Sequence, residues 1–196
     1  MKDNSVIITG GKRTGTRLIA AICERLGVYF GEKEDMNEKY EHNIIAEFMS
    51  NRDIDLVEKV FSGNRRWGLK HPVLSEKIDE IYKKFPQAKV IYMTRDFKMP
   101  DDKKELTYYW GVDLKDKNYE KFLKKRFEKK QKTRFAKFNE IKPADLPVLY
   151  IHYDDFVFDP IEGTKKIAEF LGIEASQEIL DWVKDFVYIK RSARSQ

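Results

Sequence analysis

The chain has 196 residues, of which 41% are hydrophobic and 36% are charged. This composition is typical of a globular protein, and no apolar run is long enough to cross a bilayer. The length suits one core better than two, so we expect a single domain over residues 1–196. Cys23 is the only cysteine, which excludes an intramolecular disulfide. With no charged leader followed by a long apolar segment, these features predict a cytoplasmic protein without membrane insertion.

Short apolar runs alternate with amphipathic segments along the chain. The runs at 5–9, 67–70, 88–94 and 148–152 predict β-strands, and their nearly continuous apolar character is typical of parallel strands covered on both faces. Segments 16–26, 44–61 (as one helix or two), 74–85 and 117–141 predict helices between the strands, and 160–171 and 176–186 predict two more. This order predicts an α/β fold with three layers and a mostly parallel central sheet.

The segment after the first predicted strand is rich in glycine and basic residues, and it runs Gly10-Gly11-Lys12-Arg13-Thr14-Gly15-Thr16-Arg17. Backbone N–H groups of such a loop can surround an oxyanion where the next helix begins. The Walker A pattern is met at Gly10 and Gly15, but Thr16 stands where the phosphate-binding lysine belongs. The alternative is a generic glycine turn; the neighbouring strand, helix and cations favour an anion site.

Residues 121–137 contain nine lysines and arginines against one acid, Glu128. Apolar residues recur in the same stretch at roughly helical spacing, so the pattern favours an amphipathic helix that shows its charged face to water. Attraction of a phosphate or an acidic substrate would be a secondary role.

Two further segments place charged side chains at the ends of predicted strands. Lys70 and His71 follow the second strand, where open α/β sheets bind ligands, and a histidine can accept a proton near neutral pH. Arg95 follows the third strand, and an arginine can donate two parallel hydrogen bonds to a phosphate. The alternatives are a structural histidine at 71 and an ion pair of Arg95 with Asp96 or another carboxylate.

These segments resemble, in order, the motifs of the P-loop-like sulfotransferases. The loop is similar to the pattern G-x-P-[KR]-[ST]-G-T, with Lys12 in place of proline, and Lys70-His71-Pro72 looks like the family's K-H-P. Arg95 matches the arginine of R-[DN]-P, with Phe97 in place of proline. Near the C-terminus, segments 148–156, 159–160 and 170–173 resemble the family's Y-E-D-L, D-P and F-L-G-[LI] run, which we interpret as architectural.

The resemblance implies a P-loop NTPase-like sulfotransferase fold and a donor, 3′-phosphoadenosine 5′-phosphosulfate (PAPS), that leaves as 3′-phosphoadenosine 5′-phosphate (PAP) without a metal. It implies that Arg13 assists departure of the phosphate, Lys70 stabilises charge and His71 accepts the proton. The implied nucleotide-binding residues are Gly11, Lys12, Arg13, Thr14, Gly15, Thr16 and Arg17 for the 5′ side, and Arg95, Arg191 and Arg194 for the 3′ side. Lys103 stands where many relatives have a serine, and we expect it to bind the 3′-phosphate in place of that serine or the loop to be remodelled there.

The acceptor is expected to be a small molecule or a glycan with a hydroxyl or amine, and no nucleic-acid partner is expected. Tyr108, Tyr109 and Trp110 could line an aromatic acceptor pocket or belong to the core. Two other functions stay open from the sequence: a P-loop kinase that uses ATP on a small molecule, and a nonenzymatic protein that binds PAP or another polyanion.

Overall fold

The computed structural model describes residues 5–51, 54–61, 63, 66–98 and 118–192, without the side chains of 46, 51 and 188–192. The strands are β1 (Val6–Gly10), β2 (Gly68–Lys70), β3 (Lys89–Thr94) and β4 (Val148–His152). The helices are α1 (Thr16–Arg25), α2 (Asn43–Asn51), α3 (Ile54–Phe61), α4 (Ile78–Lys84), α5 (Tyr119–Ile141), α6 (Tyr153–Phe158), α7 (Pro160–Leu171) and α8 (Gln177–Ser192), with short 3₁₀ helices at Lys33–Asp35 and Pro72–Glu76.

The four strands form one parallel sheet in the order β2-β1-β3-β4. Ile8 in β1 is in register with Lys70 on one side and with Ile91 on the other. The carboxyl ends of β2, β1 and β3 therefore lie side by side at one edge of the sheet. The parallel sheet predicted from the sequence is confirmed, and β1 is buried along its whole length.

Helices cover both faces of the sheet, as the alternation of side chains along a strand requires. Val6 and Ile8 pack on one face into a core with residues of α1, α7 and α8, while Ile7 packs on the other face with residues of α2 to α5. The predicted three-layer α/β architecture is confirmed. Cys23 lies fully buried in the first core, and burial raises the pKa of its thiol.

The structure differs from the sequence prediction mainly at helix ends. Segment 74–85 divides into the 3₁₀ helix and α4, and α8 continues to Ser192 instead of ending at 186. The short helix α6 was not predicted. The ends of α7 follow the capping signals: Asp159 accepts the N–H of Glu162 at 3.0 Å, and Gly172 adopts a φ of +68° after the last turn.

The long helix α5 exposes most of its lysines and buries Leu123, Phe127 and Phe138, which confirms the predicted solvated face. Phe122 and Phe135 are exceptions to the expected apolar stripe, since they are 52% and 40% exposed. Among the helices of the described residues, none combines the length and apolar character needed to cross a membrane.

Candidate active site

Glycines are required at both ends of the loop between β1 and α1. Gly10 has a φ of +143°, and a Cβ there would overlap the carbonyl oxygen of Met93. Gly15 has a φ of +89°, and a Cβ there would overlap the ring of Tyr153. A larger residue at either position would meet both backbone strain and a clash. The shape of this loop therefore depends on glycine at both Gly10 and Gly15.

Inside the loop, a buried hydroxyl holds the turn closed. Oγ1 of Thr14 donates a hydrogen bond to the carbonyl oxygen of Gly11 at 2.7 Å, and both residues are buried. Arg13 lies between them with a φ of +65°, a left-handed conformation that is uncommon for a residue with a side chain. The side chain of Thr14 thus shapes the loop.

The start of α1 presents backbone donors with no acidic side chain beside them. The N–H groups of Leu18 and Ile19 donate to the carbonyl of Gly15 at 2.9 and 3.3 Å. The preceding N–H groups, of Thr16 and Arg17, come before the first intrahelical bonds. The first turn of α1, all of which is described, contains no acid, and the N-cap glycine supplies no capping side chain. The positive end of this helix is suited to an anion.

Cations surround this helix start. Lys12, Arg13 and Arg17 are exposed. On α5, burial lowers the pKa of Lys130, and the charges of Arg126 and Lys12 lower it further. The basic helix therefore adds to the positive potential at the loop.

At the end of β2, Lys70 is buried and makes an ion pair. Its exposed fraction is 3%, and its Nζ donates to Oε1 of Glu41 at 2.9 Å. Burial lowers the pKa of Lys70, and Glu41 opposes this shift. Burial alone would raise the pKa of Glu41, but the hydrogen bond and charge of Lys70, the hydrogen bond of Asn37 and the charge of His71 together outweigh burial, so the pKa lies below its ordinary value. The sequence did not single out Glu41.

His71 also lies at this edge, where its backbone and ring are both engaged. Its N–H donates to the carbonyl of Ile8 at 3.1 Å, and its Nδ1 accepts the N–H of Val73 at 3.1 Å, which caps the 3₁₀ helix. Because Nδ1 is an acceptor, the neutral ring carries its proton on Nε2. In this tautomer Nε2 is a hydrogen-bond donor.

Charges and burial both keep the His71 ring neutral. Burial lowers its pKa below the ordinary value, the negative charge of Glu41 opposes the shift, and the charges of Lys70, Lys12 and Arg134 add to it. The ring is therefore uncharged at neutral pH.

Thr9, at the end of β1, holds the His71 segment against the sheet. Its Oγ1 lies 3.1 Å from the carbonyl oxygen of His71 and 3.2 Å from that of Pro72, and accepts the N–H of Ser75 at 3.0 Å. This buried hydroxyl fixes the distance between the loop and His71.

Arg95, at the end of β3, lies against the loop from the other side. Its Cζ is 4.2 Å from the ring centroid of Tyr153, and its Nη1 donates to the carbonyl oxygen of Arg13 at 3.3 Å. Its Nε is buried without a hydrogen-bond partner, and Gln131 of α5 donates to its carbonyl oxygen at 2.8 Å. Within the described part of the chain no carboxylate pairs with Arg95, so the ion pair with Asp96 is not formed.

Among the described residues, one group of possible metal ligands lies near this edge of the sheet, although no metal-ligand spacing is visible in the sequence. The ligand atoms of Asp96, His152 and Asp154 all lie within 4.8 Å of one another. Nδ1 of His152 lies 3.1 Å from Oγ1 of Thr94, and the Asp96 side chain is 90% exposed. Exposed acids near a histidine are common without a metal ion.

Several residues predicted for the site cannot be placed. Lys103, Tyr108, Tyr109, Trp110 and Arg194 lie outside the described residues. Arg191 belongs to α8, of which only the backbone is described at that position. The structure brings together the loop, Lys70, His71 and Arg95.

Solved structures share this fold. A sulfotransferase from Alicyclobacillus acidocaldarius gives a TM-score of 0.51 at 15% identity, over 96% of this chain and 92% of that one. Mouse sulfotransferase SULT7A1, solved with PAP, gives 0.57 at 19% identity, over 95% of this chain and 64% of that one. The sulfotransferase domain of the Synechococcus PCC 7002 olefin synthase gives 0.51 at 18% identity, over 90% of this chain and 74% of that one. No curated protein sequence matches the chain significantly.

Residues 31–177 match the sequence profile described as the sulfotransferase family. This match covers more than half of the chain and includes Lys70, His71 and Arg95, whereas the loop after β1 precedes it. Its role as a phosphate-binding loop is therefore a prediction, which rests on its motif and on its position between β1 and α1. From the extent of the profile match, the chain belongs to the sulfotransferase family.

Proposed function

We propose that this sulfotransferase takes the sulfuryl group of PAPS and transfers it to a hydroxyl or amine of a small-molecule or glycan acceptor, releasing PAP. The observation that supports this most is the strand order β2-β1-β3. In this order the loop after β1 lies between Lys70 and His71 on one side and Arg95 on the other. Positive groups on both sides of a loop suit a donor that carries a phosphosulfate on its 5′ oxygen and a phosphate on its 3′ oxygen.

The donor would lie across the ends of these three strands. The loop and the start of α1 would hold the 5′-phosphosulfate through Gly11, Gly15, Thr16 and neighbouring N–H groups. Arg95 would bind the 3′-phosphate, and its buried, unpaired Nε is consistent with an anion at that position. Roles for Lys103, Arg191 and Arg194 at the 3′ side rest on the family resemblance alone.

In the transfer step, the acceptor oxygen or nitrogen attacks sulfur in line with the departing phosphate. The bond from sulfur to the bridging oxygen breaks, its electron pair stays on the 5′-phosphate, and PAP leaves. The work of the protein is positioning and charge stabilisation, as in phosphoryl transfer. Lys12 and Arg13 would stabilise the leaving phosphate, and Lys70 the sulfuryl oxygens.

His71 is the proposed acceptor of the proton that the nucleophile loses. For Nε2 to take that proton, the ring must first carry its own proton on Nδ1, which requires release of the Val73 N–H. We therefore expect the ring proton to move from Nε2 to Nδ1, and the hydrogen bond from Val73 to break, when donor and acceptor bind.

The alternatives have less support. A function as a kinase is opposed by Thr16, which stands where the Walker A pattern has its phosphate-binding lysine. A nonenzymatic polyanion binder would not require a buried Lys70 or the arrangement around Arg95. A cytoplasmic location also belongs to the proposal, supported by the single buried thiol of Cys23.

Nucleotide binding and transfer test the function. Thermal shift and calorimetry should show stabilisation by PAP and little by ATP with magnesium. Radiolabelled PAPS should transfer its label to members of a panel of phenols, sterols, amines and glycans. Stabilisation by ATP with magnesium and none by PAP would support the kinase instead. PAP binding without transfer to any acceptor or to water would support a nonenzymatic binder.

A further inference from the structure

Lys70 is a buried cation whose counter-ion comes from outside the sheet. Its side chain is 4% exposed, and the Glu41 carboxylate that it contacts at 2.9 Å is 21% exposed. A buried ammonium group is strongly disfavoured unless a partner replaces its water. The position and charge of Lys70 at the loop therefore depend on Glu41.

The segment before α2 holds Glu41 in place through Asn37. Nδ2 of Asn37 donates to Oε2 of Glu41 at 3.2 Å, its Oδ1 accepts the N–H of Glu41 at 3.1 Å, and its own N–H donates to the carbonyl oxygen of Glu41 at 3.1 Å. Next to it, the hydroxyl of Tyr40 donates to Glu24 of α1 at 2.7 Å. The carboxylate is thus held in a fixed position relative to α1.

We propose that Glu41 is a positioning residue of the active site, which holds the ammonium group of Lys70 beside the loop after β1 and keeps it charged. The role rests on the proposed function, in which Lys70 meets the sulfuryl oxygens. Glu41 acts through Lys70 and has no contact with the donor assigned to it. Of the two oxygens, Oε1 contacts Lys70 and Oε2 contacts Asn37.

This role predicts a definite change with pH. Burial lowers the pKa of Lys70, the hydrogen bond and charge of Glu41 raise it, and the charges of Lys39 and Arg17 lower it. Removal of the negative charge at position 41 therefore lowers the pKa of Lys70 further. Lys70 then loses its proton, and its ability to stabilise the sulfuryl group, at a lower pH than in the wild type.

The test is Glu41→Gln, which keeps the shape of the side chain and removes its charge. Release of PAP from PAPS, with naphthol as the acceptor, is measured across the pH range, and PAP affinity by calorimetry. The alkaline limb of kcat should move to lower pH by about one unit, which corresponds to about a tenfold loss of rate on that limb. PAP affinity should stay near that of the wild type, since PAP lacks the sulfuryl group.

Two variants control for the change. Glu38→Gln removes an exposed acid from the same segment and should leave the pH profile unchanged. Glu41→Asp retains the charge and should restore much of the alkaline limb. An unmoved limb in Glu41→Gln would overturn the proposal. Equal losses of PAP affinity and melting temperature in Glu41→Gln and Glu41→Asp would also overturn it, because they indicate a structural role only.

The ion pair between Glu41 and Lys70 can be tested without measuring sulfuryl transfer. In protein made with carbon-13- and nitrogen-15-labelled lysine, NMR of the Cε and Nζ signals gives the pKa of Lys70 directly, with Lys70→Arg used to assign its signal. A lower pKa in Glu41→Gln supports the role even if the wild type transfers no sulfuryl group, a result that would count against the proposed function alone. An unchanged pKa in the variant refutes the role.

Discussion

The guanidinium group of Arg95 links strand β3 to the loop after β1, because its Nη1 donates a hydrogen bond to the carbonyl oxygen of Arg13 at 3.3 Å. The left-handed conformation of Arg13 is part of this loop geometry. Tyr153 lies under the guanidinium group and against Gly15, so it contacts both Arg95 and the loop. The proposed 5′-phosphate site at the loop and the proposed 3′-phosphate site at Arg95 are therefore joined by direct contacts.

Replacement of Arg95 by lysine should weaken PAP binding selectively. A lysine keeps the charge but cannot lie flat over Tyr153 and donate two parallel bonds to a phosphate. We expect PAP affinity to fall roughly 10- to 100-fold, the range for loss of a charge-assisted hydrogen bond. Calorimetry with PAP and with AMP measures this, since AMP lacks the 3′-phosphate and should bind almost unchanged. An equal loss for both nucleotides would contradict the 3′-phosphate assignment.

Gly15→Ala should destabilise the protein and abolish PAP binding. The added Cβ would overlap the ring of Tyr153, and φ at this position is +89°. Gly27→Ala is a matched control, because φ there is +87° but the added Cβ meets nothing within 4 Å. The control should lose about 1 kcal/mol from backbone strain, and Gly15→Ala should lose more. Urea denaturation measures both; equal losses would mean that the contact with Tyr153 has no effect.

Sulfuryl transfer should persist in EDTA. The loop, Lys12, Arg13 and Lys70 supply positive charge where a metal ion would otherwise be needed. His152→Gln removes one member of the Asp96, His152 and Asp154 group and should leave transfer unchanged. Loss of transfer in EDTA that manganese or zinc restores in the wild type, but not in His152→Gln, would place a functional metal ion in that group.

Much of the site could be predicted because its residues follow strands that are easy to recognise. The runs Val6-Ile7-Ile8 and Val90-Ile91-Tyr92-Met93 are almost wholly apolar, and parallel strands buried on both faces require this pattern. Residues just after such strands meet at one edge of the sheet. The loop, Lys70 and Arg95 are therefore placed together once the fold class is known.

Glu41 could not be predicted because its importance comes from a contact between residues far apart in the sequence. It is one of several acids between α1 and α2, and no spacing distinguishes it from Glu38. Only the turn made by Asn37 directs its carboxylate toward Lys70. The group at His152 could not be predicted either, because only the register of β3 and β4 brings Thr94 and His152 together.

The tautomer of His71 also could not be read from the sequence, and it determines how the role of this residue must be tested. Because Nδ1 caps the 3₁₀ helix, His71→Ala would remove both the proposed proton acceptor and a helix cap. His71→Asn removes the imidazole but supplies an oxygen that can accept the Val73 N–H. The two variants together separate catalysis from capping.

His71→Asn should lower kcat by roughly 100- to 10,000-fold, the usual contribution of general base catalysis, while PAP affinity and melting temperature stay near wild type. His71→Ala should lose about the same activity and, in addition, about 1 kcal/mol of stability from the missing cap. Single-turnover transfer from radiolabelled PAPS and urea denaturation measure the two effects. If His71→Asn transfers at the wild-type rate, the ring serves only as a cap, and the acceptor's proton goes to another group or directly to water.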